Sequence, residues 1–305
     1  MTTTYPRLTS QGIELDLTGE AFGSLHRSDA NDDMEALRAR MESDGYLYLP
    51  NYLDREEVLG ARHKMLSDLA AEGCISRDAP LDEGRVRPDL EMAFRADLAL
   101  DNSQLQRVLY DGAMMQFWAK FFGESVLHFD FTWVRAVAPG WGTPPHCDIV
   151  YMGRGTQQLF TAWTPLGDTT LEMGGLMILE GSNNHQKLRE NYGSKDVDAF
   201  CSNKRDEKWS GMGGGGNIRD GGMLSSQPRK LRERIGGRWL SNEFRAGDLL
   251  VFSVFTVHAS LDNQSNKIRL SSDSRYQRAS EPADERWIGA NPIGHGADAK
   301  RGMIC

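Results

Sequence analysis

The chain has 305 residues, of which 39% are hydrophobic and 26% charged, the balance of a folded globular protein and not of a disordered one. No apolar run approaches the roughly 20 residues that span a bilayer, which excludes a transmembrane helix. Asp plus Glu number 43 against 35 Lys plus Arg, a net charge of −8 that argues against nucleic acid or an anionic membrane as partner.

The N-terminal MTTTYPRLTS has no basic start followed by an apolar stretch, so a signal peptide is not expected. Cys74, Cys147, Cys201 and Cys305 are scattered and form no CxxC pair, which speaks against a disulfide framework or a structural zinc cluster. A cytoplasmic location is the expectation, and the sequon Asn263-Gln264-Ser265 is read as chance. All-β domains run to about 250 residues as one unit, so one domain is expected over 31–290, with a polar extended arm at 1–30 and a tail at 291–305.

The periodicity predicts a helix over 31–44, with Met34, Leu37 and Met41 on one face and Gly45 as its stop. A short strand, Tyr46-Leu47-Tyr48-Leu49-Pro50, follows. Asp54 with Glu57 three residues on resembles a capping box, opening a helix whose Val58, Leu59, Met65, Leu66 and Leu69 form an apolar stripe, closed by Gly73. From residue 126 the texture is β-rich: runs at 126–137, 147–152, 159–165, 175–179, 248–257 and 268–276, separated by Gly, Pro and Asn, point to a barrel or sandwich. A long polar insertion is expected at 186–243. Its glycine run 211–216 lacks the Gly-Lys-Ser/Thr of a phosphate loop and reads as a flexible connection. Its basic stretch (Arg229, Lys230, Arg232, Arg234, Arg238) reads as a solvated face.

Of the seven histidines, two stand in an informative context. His146-Cys147-Asp148 is an H-x-D triplet, and alternation along a strand would set the imidazole and carboxylate on one face. His258 ends the later apolar run and supplies a second imidazole. Two His and one carboxylate leave three positions of a metal open, the arrangement of non-haem Fe(II) oxygenases, where a keto acid takes two and O2 the third. A hydrolytic zinc site competes, but no H-E-x-x-H helix is present. Arg269, eleven residues after His258, is costly inside a barrel unless it meets an anion, and its planar fork suits the distal carboxylate of 2-oxoglutarate. Ser260 adds a hydroxyl to that clamp. Asp130, Trp133 and Arg135, on the run before H-x-D, are candidates for the substrate pocket, Arg135 for an anionic group.

In order along the chain, these pieces resemble the phytanoyl-CoA dioxygenase family. They are Asp44-Gly45-Tyr46, Pro139-Gly140 followed by Pro145-His146-Cys147-Asp148, Ala162-Trp163-Thr164-Pro165-Leu166, Gly174-Gly175-Leu176 through Ser182, and His258-Ala259-Ser260 with Arg269. The resemblance implies a mainly β double-stranded β-helix, or jelly roll, with flanking helices. It implies Fe(II) held by His146, Asp148 and His258, and 2-oxoglutarate held by Arg269 and Ser260 with Trp163 and Tyr151 as neighbours. The implied activity is oxidation of a C–H bond of a small molecule by O2, releasing succinate and CO2. Halogenating relatives carry Gly or Ala where Asp148 stands, so hydroxylation is favoured over halogenation. The usual Pro-Gly-Ser-His turn reads Glu180-Gly181-Ser182-Asn183-Asn184-His185 here, and His185 is given no role. Two rivals share the fold: a cupin-like metal-dependent isomerase or lyase, which needs no Arg269 clamp, and a binding protein without activity.

Overall fold

The computed structural model describes residues 7–201 and 220–303. Its first half runs β1 (Thr9–Ser10), β2 (Ile13–Glu14), β3 (Phe22–Gly23), α1 (Met34–Asp44), β4 (Tyr46–Leu49), α2 (Arg55–Ala71), α3 (Ser103–Tyr110), α4 (Gly112–Phe122), β5 (Val126–His128) and β6 (Trp133–Val137). Then come α5 (Ile149–Met152), β7 (Phe160–Pro165), β8 (Leu176–Leu179), α6 (Gln186–Asn191), β9 (Ala199–Cys201), α7 (Pro228–Ile235), β10 (Trp239–Leu240), β11 (Leu249–Ser253), β12 (His258–Ser260), β13 (Arg269–Arg278) and β14 (Arg301–Met303).

Local chemistry sets the helix ends. The Asp54 carboxylate accepts from the Glu57 amide at 2.9 Å, satisfying a donor that the first turn of α2 would otherwise leave free. Gly45, at φ 78°, closes α1 in the left-handed region and turns the chain directly into β4.

The strands form two main sheets. One has six strands in the order β4-β11-β7-β13-β5, with β6 also paired to β13; the other has four, β12-β8-β10-β3. Strand alternation divides the larger sheet cleanly. Leu47, Leu49, Ala162, Leu249, Val251, Leu270 and Tyr276 point outward into one core with the apolar stripes of α1, α2, α3 and α4. Tyr46, Tyr48, Trp163, Leu250 and Phe252 point inward and pack with Leu176 and Ile178 of β8 and Leu240 of β10. The fold is therefore mainly β, two facing sheets with helices banked on one of them. The inward face of β13 breaks the apolar pattern: Arg269, Ser271, Asp273, Arg275 and Gln277 are all buried there.

Several expectations give way to tertiary context. The run 126–137 is two strands, with Asp130 in the loop between them. Residues 147–152 are not a strand; Asp148 is helical (φ −66°, ψ −23°) and leads into α5. The run 248–257 breaks after Ser253, where the Thr256 amide bonds back to the Ser253 carbonyl and the chain crosses from the larger sheet to the smaller. The N-terminal arm buries Leu8, Leu15, Phe22 and Leu25, and its β3 completes the smaller sheet. The expected insertion contributes a core strand, β10, because Trp239 and Leu240 pair with Leu179 and Ile178. In its basic stretch, Arg238 is paired with Glu180 and Arg229 with Glu233. The glycine run lies outside the described residues.

The C-terminal segment is tied down by charge. Asp198, fully buried, accepts from Arg286 Nη1 at 2.7 Å, His295 Nδ1 at 2.8 Å and Lys300 Nζ at 2.9 Å. Arg286 also bonds Asp284 through Nε and Nη2, and β14 pairs in parallel with β9. Among the described residues, no helix is long and apolar enough to cross a membrane.

Candidate metal centre

His146, Asp148 and His258 are each buried, and a ligand atom from each lies within 4.8 Å of the others. The backbone brings the two histidines together: the His146 amide donates to the His258 carbonyl and the His258 amide to the His146 carbonyl, both at 3.0 Å. This antiparallel rung points both imidazoles the same way, with ring centroids 4.2 Å apart. Asp148 joins them by the turn into α5, which lifts its carboxylate to the histidines while Cys147, between them, is buried in the opposite direction and lies 3.4 Å from the Phe255 carbonyl. Convergence was expected from strand alternation; a helical turn achieves it.

The tautomers follow from the partners. His146 Nδ1 lies 2.7 Å from the Pro144 carbonyl and His258 Nδ1 lies 3.0 Å from the Thr256 carbonyl. A carbonyl only accepts, so each Nδ1 carries the proton and each Nε2 keeps a free lone pair, as a ligating histidine requires. Those Nε2 atoms face one oxygen of Asp148, Oδ1, at 3.6 and 3.7 Å. Burial, reinforced by His146, pulls His258 down to about 4, so its ring is neutral at physiological pH.

The other oxygen of Asp148 is occupied. Oδ2 accepts from the Thr161 hydroxyl and from Arg275 Nη2 at 3.1 Å. Burial alone would raise the Asp148 carboxyl, but the Arg275 guanidinium and the flanking imidazoles outweigh it and hold the group well below the usual carboxylate range. Arg275 and Thr161, which hold this oxygen, were not among the expected site residues. No local signal marked them: Ser272 and Ser274 make both faces of β13 polar, and Thr161 lies on β7.

A small, partly open pocket adjoins the histidines, and Arg269, Ser260, Trp163, Arg135, Asp273 and Thr143 are among its lining residues. Arg269 is 2% exposed; its Nη1 donates to Ser271 Oγ at 2.6 Å, and its Nε has no partner among the described residues. Burial lowers it to about 10, still charged at neutral pH. A buried cation with a spare donor, at a cavity beside three unspent ligand atoms, suits an anionic chelator of a metal. Ser260 lines the same cavity, its hydroxyl accepting from the Thr143 amide at 2.8 Å.

The remaining predicted residues divide. Arg135 faces the cavity and pairs with Asp273 at 3.0 Å. Trp133 lies under the Arg275 guanidinium, 4.5 Å from its ring centroid. Tyr151 stands edge-on to His146 and its hydroxyl donates to the Gly221 carbonyl at 2.8 Å, so it braces the return of the 186–243 segment and is absent from the cavity lining. Asp130 is exposed and accepts from the Gly289 amide at 2.6 Å, because the chain leaves the sheet between β5 and β6.

A model of the phytanoyl-CoA dioxygenase family matches residues 41–271. The 1-deoxypentalenic acid 11-beta-hydroxylase of Streptomyces arenae is 30% identical over 266 residues, 82% of this chain and 83% of the relative, and that of Streptomyces exfoliatus is 29% identical over the same lengths. Among solved structures, the non-haem alpha-ketoglutarate-dependent carbocyclase SnoK from nogalamycin biosynthesis superposes with a TM-score of 0.58 at 19% identity, covering 85% of this chain and 90% of that one. EctD from S. alaskensis, solved with 2-oxoglutarate and 5-hydroxyectoine, gives 0.54 at 16%, covering 94% and 91%.

Proposed function

Because this chain belongs to the phytanoyl-CoA dioxygenase family, we propose that His146, Asp148 and His258 are its iron ligands and that Arg269 and Ser260 receive the distal carboxylate of 2-oxoglutarate. The protein is an Fe(II)- and 2-oxoglutarate-dependent dioxygenase acting on a small molecule. The two facing sheets are read as a double-stranded β-helix. The observation that carries the ligand assignment is the convergence of one oxygen and two proton-free Nε2 atoms on a single point beside the Arg269 cavity.

With iron bound, the centre supplies activation of O2 coupled to loss of CO2 from the cosubstrate, giving succinate. The chain's own part is placement and exclusion of water. His146 and His258 are oriented by carbonyls at their Nδ1 atoms, and Asp148 by Thr161 and Arg275. Arg269 and Ser260 fix one end of the keto acid so that the other reaches the metal. Trp163 walls the cavity. The named activity of the Streptomyces relatives suggests the substrate class, an apolar carboxylic acid hydroxylated at carbon. Arg135, at the cavity with its guanidinium also 5.5 Å from the Phe94 ring centroid, is the residue proposed to meet the acid group, with Trp133 nearby.

The test is succinate release from 2-oxoglutarate in a screen of apolar carboxylic acids under Fe(II), ascorbate and air. Turnover that depends on one acid, and disappears in His146→Ala and Asp148→Ala, is expected. Turnover that survives either substitution overturns the ligand assignment.

A further inference from the structure

Arg275 is a costly residue. It is 2% exposed, and its Nε and Nη1 have no hydrogen-bond partner among the described residues. A buried guanidinium with two idle donors opposes folding unless something else recovers the cost. Trp133 offers it a ring face, which offsets part. Holding Asp148 Oδ2 is no sufficient reason for an arginine, because Thr161 already donates to that oxygen without charge. What Arg275 adds is a unit of positive charge in direct contact with the carboxylate.

The neighbouring charges leave that unit uncompensated once Asp148 is shared with a divalent cation. Arg135 and Asp273 balance each other at 3.0 Å, and Arg269 is a further cation. A carboxylate placed behind a ligating histidine makes the ligand more basic and strengthens metal binding. A guanidinium behind a ligating carboxylate does the reverse, drawing electron density from the ligand and repelling the metal. The same excess of positive charge attracts a dianion.

We propose that Arg275 is a charge-setting positioning residue. It limits Asp148 to ligation through one oxygen, loosens the grip on the metal, and tightens the grip on the dianionic cosubstrate. The proposal rests on the reading of His146, Asp148 and His258 as ligands. It predicts a crossed signature: removing the charge strengthens one affinity and weakens the other.

The experiment follows thermal unfolding of the full chain, first stripped by chelator, then with Co(II), then with Co(II) and 2-oxoglutarate. In Arg275→Met the Co(II)-induced rise in Tm is expected to exceed that of the wild type, and the further rise from 2-oxoglutarate to shrink, each by about tenfold in affinity or more, the scale of one charge acting at short range in a protein interior. Arg275→Lys keeps the charge and is expected to stay near the wild type in both. Should the Met variant not fold, Arg275→Gln carries the same test. A variant in which both affinities fall together, or neither moves, overturns the proposal. A wild-type chain whose melting ignores Co(II) overturns the ligand assignment itself, and this proposal with it.

Discussion

At Arg269 two demands meet: a charge kept out of water, and a charge kept ready for an anion. The spare Nε and the lining of the cavity predict the consequence of losing it. Arg269→Leu should raise KM for 2-oxoglutarate by about 100-fold or more, since a charge-assisted clamp to a carboxylate is worth about 1.5–3 kcal/mol and its loss leaves the anion buried without a partner. Metal-induced stabilisation should be unchanged, read by thermal unfolding. A second expectation concerns acid. His258 has a folded pKa of about 4 against an ordinary 6.5, so the metal-free native state binds fewer protons than the unfolded chain between those values. The stability this provides is complete above about 6.5 and is lost as pH falls toward 4. Denaturant titrations of the chelated protein across that interval should show the decline, and His258→Gln should flatten it. The three proposed ligands could be singled out in the sequence because the chemistry of such a centre demands particular residue types at short and strand-end spacings. Arg275 and Thr161 could not, since they lie 127 and 13 residues from Asp148 and are brought side by side by the pairing of β13 with β7, against which the turn at Asp148 packs.

Between elements, the α1–β4 junction bears directly on the centre. A Cβ at Gly45 would lie 2.5 Å from Asn183 Cγ and 2.8 Å from Thr256 Oγ1, and the Gly45 carbonyl accepts from that same hydroxyl. Thr256 in turn supplies the carbonyl that orients His258. Gly45→Ala should therefore cost about 2–4 kcal/mol, combining the left-handed penalty with overpacking, and should weaken Co(II) binding as well. Urea unfolding and Co(II) titration check the two parts, and a stability loss with unaltered metal affinity would break the link between them. The Asp44-Gly45-Tyr46 motif was readable as a helix stop and a strand start. Its contact with Thr256 was not, because adjacency across 211 residues is a property of β4–β11 pairing and not of local pattern. On β13 the polar inner column of Arg269, Ser271, Asp273, Arg275 and Gln277 was equally unreadable, because Ser272 and Ser274 on the other face blur the alternation.

Over the whole molecule, a buried charge network fastens the last described residues to the rest. Asp198 gathers Arg286, His295 and Lys300, and His295 lies edge-on to Tyr151, itself edge-on to His146. Breaking a buried ionic network by removing one charge costs about 3–5 kcal/mol. Asp198→Asn should lower the unfolding free energy on that scale and expose the C-terminal residues to carboxypeptidase, measured by urea titration and mass spectrometry of the digested chain. An unchanged digestion pattern would mean that β14 holds the segment without the charges. From the sequence, residues 291–305 were expected only as a C-terminal tail. The acid that captures it is a hundred residues earlier, inside what reads as an insertion.

The mutual rung between His146 and His258 has an evolutionary corollary. Two proposed ligands joined main chain to main chain hold their own spacing, so exposed loops elsewhere in the chain can vary without setting it. Anyone retargeting such a catalyst by loop grafting should leave untouched that ladder step, the carbonyls behind each imidazole and the strands that carry Thr161 and Arg275, and confine grafts to exposed connections.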